Sequence, residues 1–183
     1  MINQINPQFF SRDAFCKAYP QLYYGMDQKW LVVMTGDDQV CGLALKIFPH
    51  PLSLLRCFKK HTLIEKEMSL SQSAPYLLAG TPFQQHVWKA LLEIPRGIVV
   101  SYQDLANRLH MPKAVRAVAN AVGANPISPL IPCHRIVGSR QHMGGYHWGV
   151  PAKATLLREE GVDLSSFKGL PIGLEKEYRE STF

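Results

Sequence analysis

The most constraining feature of this chain is the punctuation between residues 81 and 124, which leaves room only for short helices. Thr81-Pro82-Phe83-Gln84 combines a threonine N-cap, a proline at the first helical position and a glutamine placed to close a capping box. Phe83, Val87 and Leu91 then recur at intervals of four and give one apolar face, which Pro95 and Gly97 end. Ile98-Val99-Val100 is a brief extended run. A second capping box, Ser101-Tyr102-Gln103-Asp104, opens a helix through Leu109. His110-Met111-Pro112 breaks it, and a third helix is expected from Lys113 to Ala124. Two short helices around a tight turn have the spacing of a helix-turn-helix, a weak signal alone because any compact helical domain contains such corners. The second helix of the pair is nearly without bulk: Ala114, Ala117, Ala119, Ala121, Gly123 and Ala124 allow close approach of a neighbouring helix or a nucleic-acid groove. Beyond its first residue, Arg116 is its one long charged side chain.

Upstream, two apolar runs, Trp30 to Thr35 and Val40 to Leu45, are joined by Gly36-Asp37-Asp38-Gln39 and read as a hairpin. A short helix is expected from Leu52 to Lys60, and a polar, proline-containing connection from Ser69 to Ala79. The chain therefore divides into an α/β N-terminal domain (1–79) and a mainly α-helical C-terminal domain with the helix-turn-helix (80–163). A largely irregular tail (164–183) follows. At 183 residues and 46% hydrophobic content, two domains this small are expected to lean on each other. No run of about 18 apolar residues exists to span a membrane, and Met1 to Pro7 lacks the order of a signal peptide. Cys16, Cys41, Cys57 and Cys133 are scattered without a CxxC pair, so reduced thiols in the cytoplasm are expected, with no metal site and no cofactor. Net charge is +6, and residues 81–160 hold 9 Lys/Arg against 4 Asp/Glu. That excess suits a polyanionic partner and equally a well-solvated surface.

The chemistry concentrates in residues 125–139. Pro126, Pro129 and Pro132 pre-set the backbone and lower the entropy cost of one geometry. Cys133 is followed by His134 and Arg135, electropositive surroundings of the kind that supply thiolate. Gly144-Gly145-Tyr146 marks a turn, and a helix from Pro151 to Glu160 stops at Gly161. Without context, a Cys-His pair is usually a buried thiol beside a surface histidine. A zinc site lacks ligand spacing, and a cysteine protease takes nucleophile and base from separate segments.

Ile131-Pro132-Cys133-His134-Arg135 is similar to the active-site signature of the O6-alkylguanine-DNA alkyltransferases, the methylated-DNA–protein-cysteine methyltransferases. Thr81 to Gln84, Val87-Trp88, Ile94-Pro95, Ser101 to Gln103, Ala114 to Val118, Asn125-Pro126 and Tyr146 to Lys153 resemble further family blocks in family order. The likeness covers roughly residues 80 to 161 and looks nearest to the bacterial adaptive-response type. It implies a monomeric protein that flips an alkylated guanine, and also O4-alkylthymine, out of double-stranded DNA and moves the alkyl group to Cys133, which is consumed. It further implies that His134 removes the thiol proton through a water and that Glu160 orients His134, the spacing to Gly161 favouring it over Glu159. By the same resemblance Asn125 ties the turn to the active-site backbone, Tyr102 crowds the neighbouring phosphate and Arg116 fills the stack. Ala114 and Ala117 would approach the groove, Arg135 would bind DNA, and Tyr146 with the backbone of Cys133, Ile136 and His147 would line the pocket.

Two departures stand out. Trp148 either narrows the pocket or packs into the core, and Ser128 replaces a proline common in some relatives and is expected to loosen the same wall. Two alternatives remain: a lesion-binding module that lacks the cysteine, against which Cys133 argues, and a helix-turn-helix transcription regulator, which would need base-reading polar side chains on a helix that is mostly alanine and valine.

Overall fold

The structure is a computed structural model that describes residues 7–26, 30–45, 51–67 and 75–170. The leader reading of the first six residues, most of the 69–79 connection and the tail beyond Leu170 lie outside the described residues.

The N-terminal half is built on a four-stranded sheet in the order β4-β3-β2-β5, from β2 (Gln21–Met26), β3 (Trp30–Met34), β4 (Val40–Leu45) and β5 (Thr62–Glu65). The hairpin read from Trp30 to Leu45 is β3 against β4, antiparallel, with a register shift at Val33/Met34. Its turn is held by Thr35, whose hydroxyl accepts from Gln39 N at 3.1 Å. The expected helix near residue 52 is a 3-10 helix, Pro51–Phe58. The connection expected to run to Ala79 instead ends in a strand: β6 (Leu77–Ala79) pairs in parallel with β1 (Gln8–Phe10), because Leu77 and Leu78 are fully buried and their backbone must be paired. Helix α1 (Arg12–Ala18) is capped by Ser11.

The C-terminal half follows the punctuation. Helix α2 (Pro82–Leu92) carries the full capping box between Thr81 and Gln84, and buries Val87, Trp88 and Leu91. Strand β7 (Val100–Ser101) leads into α3 (Tyr102–Arg108), and His110 adopts φ 56° at the break. Helix α4 (Val115–Gly123) begins two residues later than expected, because Lys113 lies in the turn that Ala114 N closes on Met111 O at 2.9 Å. Cys133–Arg135 form a single 3-10 turn running into β8 (Ile136–Val137), which pairs in parallel with β7. Helix α5 (Val150–Glu159) ends before Gly161, at φ 85°.

The boundary at residue 80 is not a boundary of the core. One apolar cluster joins Val32, Met34, Val40 and Leu43 of the sheet to Trp88, Leu91, Val118 and Ile131. A second joins Phe15, Leu31 and Phe58 to Trp148 and Leu156. Edge strand β4 also reaches the chemistry-bearing loop directly: Leu43 N donates to Pro126 O at 2.9 Å, and Ser128 N donates to Leu43 O at 3.2 Å. Residues 164–170 are no loose tail either, since Leu164 and Phe167 pack on Met143, Ala154 and Leu157.

Leu43 is fully buried where both halves meet, so Leu43→Ala is expected to cost about 3 kcal/mol. Urea unfolding followed by tryptophan fluorescence and by far-UV circular dichroism should give one shared transition at lower denaturant. Two separated transitions would show that the halves are independent.

Candidate active site

Cys133 sits at the floor of a cavity of about 210 Å³, walled by Tyr102 from α3, Ala119 and Gly123 from α4, and Asn125, Tyr146, His147 and Trp148. Asn125, one residue past the Ala124 C-cap of α4, organises the loop that follows. Its side-chain amide donates to Ile131 O at 2.8 Å and to Cys133 Sγ at 3.1 Å, and its Oδ1 accepts from Ile127 N at 2.9 Å. The thiol is 3.8 Å from Ser128 Oγ, and that hydroxyl shares a 2.6 Å hydrogen bond with Tyr146 OH. Burial pushes the Cys133 thiol up from its ordinary value, while Asn125, Ser128 and the charge of Lys153 pull it down.

The residue after Cys133 opens a part-buried acid-base pair. His134 Nε2 and Glu160 Oε1 are 2.9 Å apart, so with Glu160 ionised Nε2 carries the proton and Nδ1 is left to accept. Nδ1 is buried with no hydrogen-bond partner among the described residues. Burial lowers the His134 pKa against the opposing pull of Glu160, so the ring is a neutral base near pH 7. Glu160 also accepts from Arg135 Nε at 2.9 Å and Nη2 at 2.7 Å, and from Gly97 N at 3.3 Å. Burial alone would raise this carboxyl; the hydrogen bonds from His134 and Arg135 overcome it and hold it well below the usual carboxylate range. Gly97 has φ 77°, and a Cβ there would stand 3.0 Å from Glu160 O, so glycine is required for the loop to present its N–H to the carboxylate.

The structure brings Cys133, Asn125, Tyr102, Tyr146 and His147 together around one cavity, while His134 and Glu160 pair with each other outside its lining. Arg116 and Ala117 are exposed on α4, and Ala114 is half-buried at its N-terminus. Three expectations need correction. The Arg135 guanidinium, expected on DNA, is engaged by Glu160 and by Ile94 O, because the buried carboxylate needs a cation. Ile136, its backbone expected to line the pocket, is absent from the cavity lining, and its carbonyl accepts instead from Lys153. Ser128, expected to loosen the wall, ties Tyr146 into it. Trp148 satisfies both of its readings: it is 2% exposed in a core cluster and one face closes the cavity.

Three contributors escaped the sequence reading. Lys153 is fully buried, donates to Ile136 O and Met143 O, and has its pKa lowered to about 8, by burial. The periodicity could have found it, since Val150, Lys153, Ala154 and Leu157 share one helix face on an apolar spacing. Ser53, from the N-terminal half, reaches His147 Nε2 at 3.5 Å. Gly97 reads in sequence only as a helix stop.

A cavity-lining thiol held by an amide, with a neutral imidazole paired to a carboxylate starting at the next residue, supplies the groups with which a protein presents a nucleophilic cysteine to a compact electrophile. The comparisons agree with that chemistry. Residues 82–162 match the family described as 6-O-methylguanine DNA methyltransferase, DNA binding domain. The methylated-DNA–protein-cysteine methyltransferase of Candida albicans is 35% identical over 159 residues, 86% of this chain and 81% of that one. The bifunctional transcriptional activator/DNA repair enzyme Ada of Escherichia coli is 44% identical over 139 residues, 70% of this chain but only 38% of that protein. A crystal structure of Mycobacterium tuberculosis OGT in complex with DNA superposes with a TM-score of 0.57 at 28% identity, covering 75% of this chain and 92% of that one. The chain belongs to the methylated-DNA–protein-cysteine methyltransferase family.

Glu160→Gln is expected to destabilise the fold by about 3 kcal/mol, because Arg135 loses its buried partner. Since the folded pKa of Glu160 is depressed, its charge contributes stability that is complete above the unfolded value of about 4.3 and is lost as the pH falls below it. Thermal unfolding against pH should therefore fall less steeply below about pH 4.3 in Glu160→Gln than in the wild type. Parallel curves would show that the carboxylate carries no acid-linked stability.

Proposed function

We propose that this chain repairs DNA by taking the alkyl group from O6 of guanine, and from O4 of thymine, onto Sγ of Cys133. The observation that carries this reading is Cys133 in the lining of a partly open cavity, with Asn125 on its sulfur and the His134–Glu160 pair beginning at the next residue. A neutral His134 takes the thiol proton through an intervening water, and Glu160 stabilises the imidazolium. Sulfur attacks the alkyl carbon in line, the S–C bond forms as the C–O6 bond breaks, and the guanine anion that leaves takes up a proton. The thioether is stable, so each molecule acts once.

An alkyl group on O6 lies inside the duplex, so the nucleotide must be extruded at a cost of a few kcal/mol. Helices α3 and α4 then act as a helix-turn-helix, with α4 against the minor groove, where Ala114 and Ala117 permit close approach. Arg116, exposed near the start of α4, fills the space in the stack, and Tyr102 meets the adjacent phosphate. Residues 1–79 serve as a supporting unit that braces the loop before Cys133 through Leu43.

Peptide mapping after incubation with duplex DNA containing O6-methylguanine tests the reading. The Cys133 peptide should gain about 14 Da, a net methylene, in a single turnover. An adduct on Cys16, Cys41 or Cys57 instead, or full activity in Cys133→Ala, would overturn it.

Arg116→Ala should slow repair of duplex DNA more than reaction with free O6-alkylguanine, by about tenfold or more, since only the duplex reaction needs a stabilised flipped state. Equal losses measured on both substrates would assign Arg116 to structure.

A further inference from the structure

We propose that Ser128 is a positioning residue for the nucleophile: its hydroxyl, fed by Tyr146, turns to donate to Cys133 Sγ as the thiol ionises. With Asn125 it forms a two-donor cradle for the thiolate. The proposal rests on Cys133 being the alkyl acceptor.

In the resting geometry the Cys133 thiol points its proton toward Ser128 Oγ at 3.8 Å, while the Asn125 amide donates to sulfur at 3.1 Å. Ser128 Oγ and Tyr146 OH stand 2.6 Å apart, close enough for either to donate. A serine hydroxyl has one hydrogen and two lone pairs. Loss of the thiol proton turns Sγ from donor into acceptor and frees one of those lone pairs. Tyr146 can then donate to Ser128, and the Ser128 hydrogen is released to point at sulfur. Only hydroxyl rotors move. The backbone cannot relax instead, because Ser128 is 1% exposed and its N–H is held by Leu43 O on the sheet edge.

Other polar groups nearby are already committed. Lys153 Nζ donates to Ile136 O and Met143 O and acts on sulfur only through its charge, and His134 Nε2 is bonded to Glu160. A buried thiolate is poorly compensated by the Asn125 amide alone, Tyr146 also contacts Cys133 but has one hydrogen to share between sulfur and Ser128, and hydrogen bonds to an ionised group are the strong ones. The relay adds the Ser128 hydroxyl as a donor, held in place by Tyr146 of the cavity wall.

The test measures alkylation of Cys133 by iodoacetamide, read on its peptide by mass spectrometry, across a pH range bracketing the free-thiol value of about 8.5. Methyl transfer from O6-methylguanine duplex is measured on the same proteins. Ser128→Ala should react about tenfold more slowly near neutral pH, the weight of one hydrogen bond to a charged group, with the midpoint of the profile moved upward. The loss should vanish at high pH, and Ser128→Thr should restore the wild-type profile. Tyr146→Phe should move the midpoint in the same direction and add little to Ser128→Ala in the double variant. A wild-type profile in Ser128→Ala, or an equal loss at every pH without rescue by threonine, would overturn the relay. If Ser128→Ala does not fold, Tyr146→Phe and Ser128→Thr decide the matter, and an unmoved midpoint in Tyr146→Phe refutes the proposal. Absence of methyl transfer in the wild type would instead strike the proposed function, leaving the relay judged by iodoacetamide alone.

Discussion

The site depends first on one buried amide. A loop with prolines at 126, 129 and 132 has given up three N–H donors, so it cannot close its own hydrogen bonds as a helix or strand would. Asn125 does so from the side chain, accepting from Ile127 N and donating to Ile131 O and to Cys133 Sγ. The proline-stiffened segment is thereby closed into a ring with the sulfur on its inner side. An orphaned Ile131 carbonyl alone would cost about 1–3 kcal/mol, and the aim of the sulfur would go with it. The 3-10 turn that carries His134 and Arg135 continues from the same loop, so their hold on Glu160 is set by Asn125 as well.

That loop is braced from outside by the N-terminal sheet. A sheet edge leaves backbone groups unpaired, and β4 satisfies Leu43 at both its N–H and its C=O on residues 126–128. The contact is main chain to main chain and therefore independent of side-chain identity. This explains how an N-terminal half with little recognisable patterning can still control the geometry at Cys133. The 3-10 helix Pro51–Phe58 adds a second point of contact, through Ser53 on His147 and through Leu54 and Phe58 in the cluster that holds Trp148.

Legibility in the sequence followed the range of the interactions. Thr81, Ser101, Pro82 and the break at His110 act within a few residues, and the helices they bound lie where the caps place them, within about two residues. The β3–β4 hairpin was readable for the same reason. Strand β6 was not, because only its parallel partner β1, far away in sequence, makes Leu77 to Ala79 extended. The core shared across residue 80 was equally hidden, since periodicity shows that a face is buried but not against what. At the site, Cys133, His134 and Asn125 were legible as neighbours in one segment. The partner of Arg135 was not, because Glu160 arrives from the far end of α5 and Gly97 from the loop after α2.

Arg135 shows why that unread partnership matters to the chemistry. A carboxylate placed alone behind a buried cysteine would resist its ionisation, and burial would favour the protonated acid, which cannot serve as acceptor for imidazole. The two-pronged hydrogen bond from Arg135, with that from His134, removes the second objection: it keeps Glu160 ionised. With Glu160 ionised, the His134 ring keeps its proton on Nε2, stays neutral at rest and leaves Nδ1 as its basic nitrogen. Lys153 adds positive charge from the other side. The site thus rests with its thiol protonated and its base neutral. A resting thiol held up by burial is a protected state, and the hydrogen bonds from Asn125 and Ser128 together with the charge of Lys153 are what oppose that burial.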